Sequence, residues 1–409
     1  MLKLFRFFST RIFLKKPILI AATVLLMILA SYIPFMCVRS IVSLEQGIQE
    51  FSRFDREGTY VMDLDDASFD TFRQYTDESA QRVFDRLDEQ YEYAVFVDGF
   101  LADLPNSNNR NVTVAYMNEN WNEFNRLPTS TGGDLNFDYK LTDDTTIPVL
   151  VGKGLADDYP LGSTFVMRDP ALDRDMRYEV NGVLADNAAH SNLKALDSKT
   201  YYNFSIIVPV NRSFLKTEKN ALKINLLFDL VLFNAKRSDV TRLEDYAGQV
   251  TPGPLRFSSY QDLKNDLNQY YMPSMRSLIA ACAAFIVLLV IVAVWSSLAG
   301  IRIMMRECTV NILVGLSYQK LRNLLFAHYM VLGLIAWAVV IALTIAMRQT
   351  AWTMNDPLAK TLGWAGGLIP MDWIGLYSSF VVMVAIAALL AQVVTWRVKR
   401  IPISIGVLQ

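Results

Sequence analysis

Cysteine and histidine are scarce, and their scarcity narrows the chemistry. The 409-residue chain has three cysteines and two histidines. Cys37, Cys282 and Cys308 all fall in or beside apolar runs, and none lies in the long polar middle. The pattern predicts neither a disulfide framework nor a cysteine-based metal site, and a large exported segment without disulfides fits a bacterial cell surface. His190 reads as a solvated loop residue, and His328, near one end of an apolar run, as a packing or capping group. No G-x-x-x-x-G-K-[ST] stretch is present, so no phosphate-cradling loop is encoded; Gly152-Lys153-Gly154-Leu155 lacks the spacing and the following hydroxyl. H-E-x-x-H and G-x-S-x-G are absent as well. The acid clusters Asp63/Asp65/Asp66 and Asp143/Asp144 lack the twelve-residue calcium-loop pattern and read as helix caps and solvated surface. Charge of one sign is not in excess, with 39 Lys+Arg against 40 Asp+Glu, which removes the basic footprint of nucleic-acid binding. The apolar runs hold almost no charge, which speaks against an ion- or proton-coupled carrier with ligands at the bilayer midplane. The expectation is a non-catalytic chain with no cofactor of its own.

What is abundant is apolar sequence: 52% hydrophobic residues against 19% charged, a skew that points to membrane spans. Residues 1–17 alternate Lys3, Arg6, Arg11, Lys15 and Lys16 with Leu4, Phe5, Phe8, Ile12 and Phe13, as a basic amphipathic helix on the inner leaflet does. Pro17 suits a helix start. Residues 18–38 then have the length of a membrane-crossing helix, with Pro34 expected to kink its outer end. A cleavable signal peptide is the competing reading; the long run and the lack of a small-residue cleavage site favour an uncleaved span. Three more spans are predicted at 276–300, 323–347 and 373–396, the last flanked by Trp373 and Trp396 as interfacial anchors. Residues 348–372 carry balanced charge (Arg348, Lys360, Asp356, Asp372), and the tail 397–409 carries Arg397, Lys399 and Arg400. The prediction is therefore four spans, both termini cytoplasmic, and one large outer region, 39–275.

The connection 301–322 is short and basic, with Arg302, Arg306, Lys320 and Arg322 against the single acid Glu307, so the positive-inside rule assigns it to the cytoplasm. Arg306 to Leu313 can continue a helix, Gly315 suits a left-handed C′ position, and Ser317 suits the N-cap of a helix beginning at Tyr318. An ordinary hairpin at the inner face accounts for the same charges.

The run Arg306-Glu307-x-x-Val310-x-Ile312-Leu313-x-Gly315-Leu316-Ser317-x-x-x-Leu321 resembles the cytoplasmic-loop pattern of the MacB/FtsX-like (type VII) ABC-transporter permeases. It departs from that pattern at Val314-Gly315-Leu316 and at Cys308 and Asn311. The order of one span, a large outer domain and three spans resembles the same family, as does the closing segment Arg400-Ile401-Pro402-Ile403-x-x-x-Val407-Leu408. In the family this loop docks on a separate ATPase subunit. The resemblance therefore implies ATPase-coupling roles for Arg306, Glu307, Ile312, Leu313, Gly315, Leu316 and Ser317, with Arg306 and Glu307 positioning the docking helix and Ile312, Leu313 and Leu316 supplying apolar contact.

The ends of the outer region show helical spacing, Ile41, Leu44, Ile48 and Phe51 at one and Leu263, Leu267 and Tyr270/Tyr271 at the other. They are expected to pair as a stalk; the alternative is that each merely extends its span. Between them, Thr59–Leu64 reads as a strand, Asp66–Gln90 as a charged helix beginning at an Asp or Ser cap, Tyr93–Phe100 and Lys223–Asn234 as strands, and Ser238–Tyr246 as a helix. An insertion at about 111–210 is richer in turns. In it, the run Pro148 to Ala156, the Leu161-Gly162-Ser163 turn and Tyr178 to Leu184 resemble a strand, short helix, turn and strand of the family's outer-domain core. The fold class expected is an α-helical membrane protein with four transmembrane helices and a large α+β extracytoplasmic domain, MacB-like in its porter and inserted subdomains, between the first and second.

The resemblance implies a permease subunit that couples ATP hydrolysis in a separate ATPase chain, which would bind the ATP and magnesium, to movement of its outer domain, a process called mechanotransmission. Its implied partners are that ABC ATPase, a second permease copy or paralogue forming a dimer, the lipid bilayer, and an extracytoplasmic adaptor, hydrolase or peptide; no nucleic acid is implied. Two activities stand open. One is export or extraction of an antimicrobial peptide, a lipoprotein or a small amphiphile from the cell membrane. The other is FtsX-like regulation of an external cell-wall hydrolase or sensor, with nothing transported. A multi-span anchor for an adhesin-like domain is a third, weaker reading.

Overall fold

The computed structural model of the chain describes residues 5–8, 17–63, 74–104, 111–193, 195–219, 222–303, 305–353 and 367–400; for 111, 301–307 and 349–353 only the backbone is described. Most of the amphipathic helix expected over 1–17, the start of the helix expected from Asp66, Asp65, and the closing segment from Ile401 lie outside the described residues. The chain divides into two compact units, 1–42 with 273–347 and 368–409, and 43–272 with 348–367.

The first unit is helical. It holds the membrane portion of α1 (Pro17–Ser52) together with α8 (Met272–Ile303), α9 (Met305–Leu313), α10 (Tyr318–Thr353) and α11 (Pro370–Arg400). Four helices in the described residues are long and apolar enough to cross a membrane, matching the four predicted spans. All extend beyond the predicted limits, because the backbone stays helical where the apolar run ends. Their shared core is formed by Met27, Ala30, Leu289, Ala293, Leu324, Leu325, Ala336, Ile386, Leu390 and Val394. Small residues allow the closest approaches. A Cβ on Gly300 of α8 would strike the Leu19 side chain of α1, and one on Gly375 of α11 would sit 2.9 Å from Phe35. The Trp337 indole N–H donates to the Leu376 carbonyl at 3.1 Å, tying α10 to α11.

Asp372 was expected to end the short outer loop 348–372. It lies instead in the first turn of α11, with its side chain fully buried, 3.0 Å from the Arg39 guanidinium. Its other oxygen accepts from the Ile369 N–H at 3.1 Å. Ile369 precedes Pro370, which has no N–H to leave unpaired at the helix start, so Asp372 performs the carboxylate half of a capping box.

The second unit is α+β and contains two larger sheets. The first is four-stranded and antiparallel, ordered β13 (Arg256–Ser259), β1 (Tyr60–Asp63), β12 (Val231–Phe233), β2 (Glu92–Ala94). Helices α2 (Asp77–Gln90) and α6 (Arg237–Val250) contribute Val83, Phe84, Leu87, Val240 and Leu243 to its core. Its elements come from both sides of the insertion, as the sequence reading expected of a split subdomain. The cap of α2 is Thr76, which accepts from the Ser79 N–H at 3.2 Å, rather than an Asp or Ser.

The insertion, with one strand that precedes its expected start at 111, forms a seven-stranded mixed sheet: β3 (Phe96–Asp103), β4 (Asn111–Met117), β11 (Ser205–Pro209), β6 (Thr146–Val151), β8 (Arg174–Leu184) and β5 (Thr129–Gly132) in order, with β7 (Thr164–Asp169) also on β8. The strand, short helix, turn and strand read from Pro148 onward are present, as β6, a 3-10 turn at Lys153–Leu155, a turn with Gly162 at φ +77°, β7 and β8. In the core, buried Asp169 accepts hydrogen bonds from the Tyr116 and Tyr178 hydroxyls and from the Ala171 and Leu172 N–H groups. Burial pushes its carboxyl above the usual carboxylate range.

Two strand expectations are corrected. Tyr93–Phe100 is not one strand: β2 and β3 belong to different sheets and break at Val95, whose N–H donates to the Asn118 side chain at 3.1 Å. Lys223–Asn234 is mostly helical: α5 (Leu222–Leu226), a 3-10 turn at Leu227–Asp229, and only then β12. Leu222, Leu226, Leu227 and Leu230 are all buried, a spacing that suits a helical face. The Glu218 carboxylate accepts from the Leu222 N–H at 3.1 Å and pairs with buried Lys223 at 2.8 Å.

Of the residues expected to pair as a stalk, Phe51 meets the second segment at Tyr260, which lies outside the expected set. Phe51 of α1 stacks on Tyr260 with centroids 4.7 Å apart, and Lys264 reaches Asp55 at 3.1 Å. Tyr260 opens α7 (Tyr260–Asp266), which passes through a π turn at Leu267–Tyr271 into α8. Along residues 43–50, α1 packs instead on the hairpin of β9 (Ala189–Asn192) and β10 (Ala195–Tyr201). Gly47 lies so near the Leu196 carbonyl that no Cβ fits, and the Ser43 hydroxyl donates to the Asp197 carbonyl at 2.8 Å. The Glu50 carboxylate pairs with Lys199 at 3.2 Å and accepts from the Ser191 N–H at 2.6 Å.

Candidate functional site: the turn between the second and third spans

The turn at 305–322 follows from its sequence. Helix α9 ends where Gly315 adopts φ +106°, a conformation that costs a side-chain-bearing residue about 1–2 kcal/mol. The Leu316 N–H donates to the Asn311 carbonyl and the Gly315 N–H to the Ile312 carbonyl, both at 3.0 Å. These are the two bonds of a Schellman motif. Ser317 then caps α10, its hydroxyl accepting from the Lys320 N–H at 3.3 Å. The left-handed C′ conformation expected of Gly315 and the N-cap expected of Ser317 are both present.

Helix α9 has two faces. Cys308 and Thr309 are buried, and Ile312 and Leu316 pack partly against the bundle core around Leu321, Leu324 and Leu325. The opposite face presents Val310, Leu313 and Val314, respectively 45%, 57% and 83% exposed. The expected contact set Ile312, Leu313 and Leu316 therefore divides. Only Leu313 faces outward, while the other two hold the helix against the bundle. Val310 and Val314 join Leu313 at i, i+3 and i+4, a spacing that was visible in the sequence. The side chains of Arg306 and Glu307 lie outside the described residues.

Basic side chains are exposed at the start of α10 and the end of α11. Lys320, Arg322, Arg397, Lys399 and Arg400 are all exposed. The Lys399 ammonium lies 5.5 Å from the centre of the Tyr318 ring, which brings the end of α11 to the start of α10. Three aliphatic side chains in the open make an apolar step of a kind that marks contact surfaces.

The two histidines lie outside the turn, each among packed side chains. His328 is half-buried in α10 beside Tyr329. His190 is a correction: it is not a solvated loop residue but lies in β9, 5% exposed, packed edge-on against Phe96, Trp121 and Tyr202. Its Nε2 lies 2.6 Å from the Asn125 carbonyl. Burial pushes its imidazole down to about 4. Among the described residues, no three His, Cys, Asp or Glu side chains converge as a metal site.

No family model matches the chain, and no curated protein matches it. Solved structures are similar to part of it, among them the following two. The periplasmic region of MacB from Actinobacillus actinomycetemcomitans aligns at 10% identity and TM-score 0.32, over 52% of this chain and 92% of that one. The extracellular domain of the noncanonic ABC-type transporter YknZ from Gram-positive bacteria aligns at 12% identity and TM-score 0.28, over 49% of this chain and all of that one.

Proposed function

We propose that the chain is the membrane subunit of an ATP-driven complex, and that α9 is where a separate ATPase chain docks. The observation that carries this reading is the Val310–Leu313–Val314 step, exposed on a short helix between two spanning helices. A solvated loop has no reason to display three aliphatic side chains at contact spacing, whereas a coupling helix needs an apolar ridge. The other face of α9, through Ile312 and Leu316, bears on the bundle core, so a push on the ridge is delivered to packed helices rather than absorbed by a loop. Arg306 and Glu307 orient the docking helix on its partner. The positive-inside rule assigns the turn and both termini to the cytoplasm and the α+β unit to the outside.

ATP-driven closure of the partner tilts α9, and α1 and α8, which both continue from the bundle into stalk sequence, carry the movement outward. The chain works beside a second copy or a paralogue. The size of the outer unit favours extraction of a peptide, lipoprotein or small amphiphile over control of an external partner. A photo-crosslinking residue at Val314, activated in native membranes, tests the docking. The expected product joins the chain to a nucleotide-binding protein. Products containing only lipid, or only a second copy of this chain, would remove α9 as the docking site.

A further inference from the structure

Helices α1 and α8 lie side by side, and their contacts set a register. Leu19 meets Gly300 so closely that a Cβ on the glycine would overlap it. Eighteen residues separate Leu19 from Cys37, and eighteen separate Cys282 from Gly300. At 3.6 residues per turn that is five turns on each helix, so an antiparallel pair in contact at 19/300 presents 37 and 282 to one another on the same faces. Ala30 and Leu289, which share the bundle core, fall in the same register between these ends. The structure agrees with the count: the Cys37 and Cys282 side chains come close enough to act on one another. Both residues are half-buried, in contrast to Cys308, which is 1% exposed.

We propose that Cys37 and Cys282 are a redox modification site that closes to an intrachain disulfide, fastening α1 to α8 at the end of their spans from which α1 runs on into the stalk. A disulfide needs the two sulfurs brought near one another before oxidation, and the 19/300 contact with its five-turn register places them on facing sides of the helix pair. The oxidant is a small-molecule or protein disulfide acting by exchange. One cysteine thiolate attacks it, forming a mixed disulfide and expelling one reduced thiol. The second cysteine thiolate attacks the mixed disulfide at the chain's own sulfur and expels the other. Two electrons pass to the partner, and the two protons lost by the chain are carried by the two expelled thiols. The scarcity of cysteine sharpens the assignment, since two of the chain's three thiols meet across one helix pair. The proposal does not depend on the coupling role of α9, and its test involves no ATPase.

The test uses the purified full-length chain in mild detergent, incubated with glutathione disulfide, then alkylated under denaturing conditions and digested. The expected result is a fall in free thiols from three to one per chain, an intact mass lower by two hydrogens, and one peptide pair joining Cys37 to Cys282, with Cys308 alkylated. Dithiothreitol restores all three. In Cys37→Ser, Cys282 carries a single glutathione and no link forms. The proposal is overturned if both cysteines remain alkylatable, if each carries its own glutathione in the unmutated chain, or if the only link joins two separate chains.

Discussion

The Arg39 guanidinium lies 3.0 Å from the Asp372 carboxylate, one at the end of the first span and the other in the first turn of the last. The carboxylate is wholly buried and the guanidinium 31% exposed. Removing one partner strands a charge in a poorly solvated place. Arg39→Met is expected to lower the stability of the detergent-solubilised chain by about 2–3 kcal/mol, at the low side of buried pairs because Arg39 is partly solvated. Adding Asp372→Asn should recover part of the loss, and the double-mutant cycle measures the coupling. Strictly additive losses would show that the pair does not act as one.

Gly315 has open space where a Cβ would stand, so substitution there tests backbone conformation alone. Gly315→Ala is expected to cost about 1 kcal/mol and to raise hydrogen exchange at Leu316, whose N–H closes the Schellman motif. Unchanged exchange would mean that the turn is held by something other than that bond.

The hairpin that packs on α1 is expected to be pH-sensitive through His190. Its folded-state value of about 4 lies below the ordinary 6.5. The unfolded chain therefore binds the proton first, and stability present above pH 6.5 is lost as pH falls toward 4. Between pH 7 and 5 the loss amounts to about 2 kcal/mol from this residue. Buried Asp98 and Asp169, raised by desolvation, act in the opposite sense. The contribution of His190 is therefore read as a difference from His190→Gln, followed by unfolding monitored through tryptophan fluorescence. Equal pH slopes in the two chains would contradict it.

The two faces of α9 predict opposite failures. Leu313→Glu changes an exposed residue and should leave stability within about 0.5 kcal/mol while abolishing partner binding. Ile312→Glu forces a charge toward the bundle core and should destabilise by about 2 kcal/mol or more before binding is measured. Thermal unfolding beside partner capture separates them; if Ile312→Glu alone lost the partner while folding normally, the faces would be reversed.

Local rules made much of this legible. Gly315 and Ser317 could be placed because a left-handed C′ residue and a hydroxyl N-cap are decided within a few residues. The four spans were legible because an apolar run of bilayer length has few alternatives. What failed was decided at a distance. His190 is buried by aromatic side chains from β3, α3 (Glu119–Phe124) and the residue following β10, which nothing in its own neighbourhood announces. Asp372 was misread because its partner stands 333 positions earlier. The leucines at 222, 226, 227 and 230 have the spacing of a helical face, a signal that the short apolar run masked when read as a strand. For α9, helical spacing already separated 310, 313 and 314 from 308, 309, 312 and 316; which face met the bundle required the structure.

The central claim is that this membrane chain is moved by a separate ATPase docked on α9. Its most direct test is affinity purification of the tagged full-length chain from native membranes in mild detergent, with and without Leu313→Glu. The account predicts an ABC-type ATPase at about one copy per chain with the unmutated protein, and its absence with the variant. Recovery of the unmutated chain without any ATPase across several detergents would contradict it, as would undiminished ATPase on the Leu313→Glu chain.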